Sequence, residues 1–120
     1  MSVPVDLREQ LAALGGPFQP ETIATMNDYK VQVVRVQGEF VWHKHAATDD
    51  FFLVLDGHLT IQLRDGDVEL GPGQLYVVPA GVEHCPRSDE GAEILLIEPA
   101  GTVNTGDAEA GPLTAEERLF

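Results

Sequence analysis

The 120-residue sequence has a single cysteine, Cys85, a single tryptophan and only seven lysines and arginines. One cysteine excludes an internal disulfide framework and fits a reducing compartment. The shortage of basic residues, seven against twenty acidic ones, leaves a formal net charge of -13. A field of that sign repels phosphate backbones and anionic lipid headgroups, so neither nucleic acid nor a membrane is an expected partner. Long apolar runs are also missing: no segment approaches the length of a bilayer span, and the start "MSVPVDLREQLAALGG" lacks the basic-then-apolar order of a secretory leader. The expectation is a soluble cytoplasmic protein of one domain with one small core.

What is present is mostly strand. Residues 5–14, "VDLREQLAAL", place Leu7, Leu11 and Leu14 at helical spacing, with Asp6 and Glu9 as a capping box and Gly15-Gly16 as a stop. From Tyr29 the period changes to two, in runs near 30–37, 39–45, 50–55, 58–64, 67–70, 74–78, 82–86 and 92–98. Asp56-Gly57, Asp65-Gly66, "GPG" at 71–73 and "PAG" at 79–81 separate them with turn chemistry. Short strands joined by tight turns predict an all-β antiparallel sandwich or barrel. The expected division is a helix and lead-in over 1–28, a barrel over 29–99 and a surface-running tail over 100–120. Thr114 and Glu117 space a second capping box, predicting a short terminal helix.

The polar residues inside these runs carry the chemistry. On a strand His43 and His45 project to one face and Trp42 and Lys44 to the other. Two imidazoles on one face can grip an ion, which then needs further nitrogen or oxygen ligands; Asp49, Asp50 and His84 are the nearest candidates by type.

Gly38, His43, His45, Asp50 and Gly57, followed by Gly73, Pro79, Gly81 and His84, fall on two motifs. The first is glycine, a His-x-His pair, an acidic residue after four positions and a glycine; the second is glycine, five residues, Pro-x-Gly, two residues and histidine. Over residues 38–88 the chain resembles the cupins, in particular small single-domain bacterial cupins of the mannose-6-phosphate isomerase-like kind. The resemblance implies a jelly-roll barrel, a double-stranded β-helix, in which His43, His45, Asp50 and His84 bind one divalent transition metal. The motif spacing selects Asp50 over Asp49. Two positions depart from the family pattern: Asp50 stands where a glutamate is usual, one methylene longer, and Ser88 stands where an asparagine often closes the second motif.

Other residues have plainer readings. His58 follows a turn and is expected on an exposed hairpin, while Cys85, next to His84 and opposite in parity, is expected to fill apolar space. Alternation puts Phe40, Trp42, Phe51, Leu53 and Leu55 on the outside of the barrel. There they need cover from the N-terminal helix, the second sheet or another subunit, and a homodimer is expected. Arg35, Gln37, Gln62, Arg64 and Tyr76 are surface residues by default. Three imidazoles and a carboxylate leave coordination positions open for a small organic ligand. The sequence therefore points to a metal-dependent enzyme, foremost an oxygenase, with isomerase or lyase chemistry also open. The alternative is a non-enzymatic small-molecule-binding or regulatory module. Iron, manganese, nickel, copper and zinc all suit the ligand types. Beyond the ligands, the sequence marks no catalytic base.

Overall fold

The structure, a computed structural model, describes residues 3–109 and 111–114. One helix, α1 (Leu7–Ala12), precedes seven strands: β1 (Glu21–Met26), β2 (Tyr29–Glu39), β3 (Asp50–Gly57), β4 (Leu59–Leu63), β5 (Gly66–Leu70), β6 (Leu75–Val78) and β7 (His84–Pro99). All pairing is antiparallel, and the chain folds as a jelly-roll barrel.

β7 organises the barrel. Its first residues, from His84 to Arg87, pair with β4, whereas Ala92 to Ile97 lie between β2 and β3. One long strand thus serves both sheets, and the two runs expected at 82–86 and 92–98 are its two halves. Ser88 and Gly91 make the transition. The Ser88 hydroxyl donates to the His58 carbonyl at 2.6 Å and accepts from the Gly91 amide at 3.0 Å, so Ser88 serves the turn. Gly57 lies against this bend: with φ +83° it packs so closely on Gly91 and Ala92 that a Cβ would collide with their backbone.

The core is the inner face of these strands. Val34 and Val36 of β2, Phe52 and Val54 of β3, Ile61 of β4 and Ile94 of β7 are all buried there. Burying a side chain of this size stabilises by roughly 1.5–3 kcal/mol.

Three expectations are corrected. The run 39–45 is not a strand, because β2 ends at Glu39 and only an isolated bridge at His43 follows. β1 was not expected; it forms a hairpin with β2 through Asn27, which adopts φ 53°. Asn tolerates that left-handed turn position, but the partly exposed segment ETIATM lacks the clear alternation that marks a half-buried strand. The helix is shorter than 5–14, although Asp6 caps it as its spacing predicts, with Oδ1 accepting from the Glu9 amide at 3.2 Å. None of its residues is buried, and its main neighbour is β2. Its packing is thus mainly on β2 and not on the outer face of β3. The helix expected after Thr114 lies outside the described residues.

Candidate metal centre

His43 and His84 face each other directly across the barrel wall. The His43 amide donates to the His84 carbonyl at 3.0 Å, and the His84 amide returns the bond at 2.8 Å. His84 opens β7, while His43 lies on the loop from β2 to β3. The turn 79–81 is pinned to that same loop. Gly81 donates its amide to the His45 carbonyl at 2.9 Å, and Ala80 donates to Asp49 Oδ1 at 2.9 Å. Asp50 opens β3 opposite Val78 and points inward, so the two aspartates divide: Asp49 is exposed and braces the turn, whereas Asp50 is buried. The four ligand-type atoms of His43, His45, Asp50 and His84 lie within 4.8 Å of one another, an arrangement that could hold a metal ion.

The hydrogen bonds select the tautomers. Nδ1 of His43 lies 2.8 Å from the Val41 carbonyl, and Nδ1 of His84 lies 2.9 Å from the Val82 carbonyl. A carbonyl only accepts, so both Nδ1 atoms carry hydrogen and both Nε2 atoms are left to face the cluster. Burial lowers the His43 pKa to about 4, so its imidazole is neutral. Asp50 Oδ2 lies 2.9 Å from His84 Nε2 and 3.3 Å from His45 Nε2. Burial would raise the Asp50 pKa, but the hydrogen bonds and charges of the two histidines outweigh it and hold the group at about 2. Burial likewise opposes charge on His45, yet its bond to Asp50 raises its pKa overall. A neutral imidazole with hydrogen on Nδ1 and the ionised Asp50 carboxylate both present acceptors, so the close approach of His84 Nε2 and Asp50 requires a proton or another cation between them. Three imidazole nitrogens and a carboxylate oxygen gathered within 4.8 Å of one another are a donor set that fits a divalent ion. The shorter side chain of Asp50 therefore reaches the imidazoles.

A cavity of about 520 Å³, mouth included, opens from the cluster and is walled mainly by Phe18, Phe40, Phe52, Ile94 and Leu96. Phe40 is a correction, since alternation placed it outside. The chain leaves its ladder after Glu39, which breaks the period before His43, and Phe40 turns inward. It stacks on Phe18 with ring centroids 5.0 Å apart and meets His43 edge-on at 5.4 Å. Trp42 does face away, under the guanidinium of Arg64 at 3.8 Å. His58 is an exposed hairpin residue bonded to Glu69 at 2.9 Å. Cys85 is buried, and burial, reinforced by the charge of Glu39, pushes its thiol up to about 11.

Sequence reasoning missed two parts of this cavity. Glu98 lies on its wall, buried, and burial followed by the charge of Asp50 raises its pKa to about 7 against the opposing charge of Lys30. The segment after β7 also folds back over the histidine loop. Asp107 Oδ1 accepts from the Lys44 amide at 2.8 Å, the Asp107 amide donates to the Lys44 carbonyl at 3.1 Å, and Asn104 lines the cavity. The even spacing of Ala92, Ile94, Leu96 and Glu98 was a usable signal for Glu98. Nothing in the segment 100–107 announced its return.

The Cupin domain family model matches residues 30–98. The chain belongs to the cupin family. A cupin-2 domain protein from Shewanella frigidimarina is 43% identical, with a TM-score of 0.78 over 79% of this cupin and 93% of that chain. A Neisseria meningitidis protein is 30% identical, with a TM-score of 0.74 over 81% of this cupin and 99% of that chain. The uncharacterized protein YdbB of Bacillus subtilis is 34% identical over 68 residues, 56% of this cupin, and the match spans 60% of that curated relative's length.

Proposed function

We propose that this cupin binds one divalent transition metal per chain through His43, His45, Asp50 and His84, and that it is a metal-dependent enzyme, foremost an oxygenase of a small organic molecule that chelates the metal. The observation that carries the reading is the buried cluster of three imidazoles and one carboxylate, with Asp50 Oδ2 2.9 Å from His84 Nε2 and 3.3 Å from His45 Nε2, a donor set suited to a shared metal ion. A metal there would supply a Lewis acid and, if iron, manganese, nickel or copper, the capacity to activate oxygen.

The chain's own residues prepare the site for that work. The Val41 and Val82 carbonyls fix the His43 and His84 rings, so little ordering remains to be done on binding. Asp50 stays ionised and offsets part of the ion's charge. Phe18, Phe40 and Phe52 exclude bulk water, which strengthens every electrostatic interaction at the cluster.

The ligand assignment is tested by reloading protein purified without a histidine tag and measuring metal content. Wild type should hold about one equivalent, and His45→Ala should lose most of it. Uptake below about a tenth of an equivalent with every first-row ion would sink the reading. Oxygen consumption with catechols, flavonols, diketones and thiols then tests for catalysis. Binding of such compounds without turnover would instead favour a non-enzymatic binding module.

A homodimer also belongs to this proposal. The outer sheet face aligns Leu95, Leu53 and Leu75 in one row and Val31, Ile97, Phe51 and Val77 in the next, while Val33, which continues the first row, is fully buried within the chain. Leu75 and Val77 remain 55% and 40% exposed. A contiguous apolar surface of this kind suits a second copy of the same face, related by a two-fold axis.

A further inference from the structure

Beside the histidine cluster, three neighbouring strands bring Lys30, Glu98 and Asp50 into one row. β2 pairs Lys30 with Glu98 of β7, and the pairing of Phe51 with Ile97 carries Asp50 and Glu98 to adjacent positions on the inner face. Lys30 and Glu98 are 6% and 5% exposed. The Lys30 ammonium lies behind the carboxylate, 3.6 Å from Glu98 Oε1, and donates to the Thr102 carbonyl at 3.1 Å. Glu98 is on the cavity wall.

A charge buried at this depth is costly unless it is paired and hydrogen-bonded. Lys30 supplies the pairing, yet a carboxylate offers about four acceptor positions, more than one ammonium fills. The other polar wall residue outside the metal cluster, Asn104, directs its amide to the Leu113 carbonyl at 2.8 Å. Among the described residues no lysine or arginine is on the wall, and the rest of it is aromatic, aliphatic or proline. A carboxylate in such surroundings selects a ligand that brings a donor and carries no negative charge of its own.

We propose that Glu98 is the specificity-determining residue of this cavity: it accepts a hydrogen bond from a hydroxyl of a small, uncharged, otherwise apolar ligand whose neighbouring oxygen reaches the metal. The proposal rests on the metal reading above. Lys30 acts as a positioning residue, holding the carboxylate against the wall so that the ligand meets a fixed acceptor. An analogue lacking the hydrogen leaves that acceptor unpaired and is rejected, because the desolvation of Glu98 is no longer compensated.

The test is a comparison of ligand pairs on the zinc-loaded full chain, with catechol and 2-methoxyphenol as probes and calorimetry as the readout. O-methylation removes one donor and some chelation in every variant, so the part due to Glu98 is the difference between proteins. The catechol preference of wild type should fall at least about tenfold in Glu98→Gln, whose amide can donate to the ether oxygen, with zinc content unchanged. The same preference ratio in both proteins overturns the proposal. Should Glu98→Gln fail to fold with Lys30 unpaired, the neutral pair Lys30→Met with Glu98→Gln makes the same comparison, with the same two outcomes. A wild-type chain that takes up no zinc contradicts the metal reading instead. The ratio measured on the metal-free proteins then decides for or against Glu98 on its own.

Discussion

His84 presents Nε2 to a carboxylate while its Nδ1 is engaged by a backbone carbonyl, and Glu98 sits charged or neutral a strand away from that same carboxylate. These two residues set how the site responds to its surroundings. Glu98 titrates near 4.5 in its ordinary state and at about 7 in the folded protein. Over that interval the folded chain keeps a proton that the unfolded chain has released, so this group's contribution to stability is full below 4.5 and is lost as pH rises through 7. His43, lowered to about 4, works in the opposite direction, but it does so equally in a Glu98→Gln variant. Thermal melts of the metal-stripped proteins should therefore show wild type losing stability relative to Glu98→Gln across this range. Parallel pH profiles would contradict the raised value. At this scale the sequence made the clustering of His43, His45, Asp50 and His84 legible because the His-x-His, aspartate and Pro-x-Gly spacing is rigid. Glu98 continues the even-numbered row of Ala92, Ile94 and Leu96, but β2 and β7 carry apolar residues on both faces, so alternation alone does not say that this row, or Lys30 opposite it, lies inside.

Among the elements, the runs that became β3, β4, β5 and β6 were readable to within about two residues, because turn glycines bound them. The segment from Phe40 to His45 was not, because its backbone bonds go to Pro86, His84 and Gly81 instead of to a regular partner strand. Long-range pairings of that kind leave no local pattern. The return of the segment 100–107 is illegible for the same reason. Gly106 is its tightest point: at φ +54° it lies against Lys44, where a Cβ would collide with the carbonyl and press on the His43 ring. Gly106→Val should push this segment off the histidine loop. The expected readouts are a loss of about 1–3 kcal/mol in denaturant unfolding and weaker metal retention. A variant as stable and as metal-loaded as wild type would show that the packing of this segment on Lys44 does not support the site.

For the whole molecule, the charge of -13 and the apolar outer sheet act on different partners. The charge sets the long-range field around the chain, while the face bearing Phe51, Leu53, Leu75 and Val77 is the surface on which the proposed dimer is tested. Two apolar faces on one barrel explain why Phe51 and Leu53 were readable as outward while their cover was not: neither the helix nor the other sheet covers Leu75 and Val77. Leu75→Glu together with Val77→Lys should convert a dimer to a monomer in light scattering without loss of fold, since both side chains are largely exposed in the single chain. A variant that remains a dimer would place the interface elsewhere, and a wild type of monomer mass would contradict the dimer.

The proposed site requires a metal ion between the histidines and Asp50. X-ray absorption at the metal edge of the reloaded protein reads its ligands directly. Wild type should show the outer-shell scattering of about three imidazoles with an oxygen ligand at about 2.1 Å, and His45→Ala should show fewer imidazoles. A metal surrounded only by oxygen, or a spectrum that His45→Ala leaves unchanged, would contradict the site.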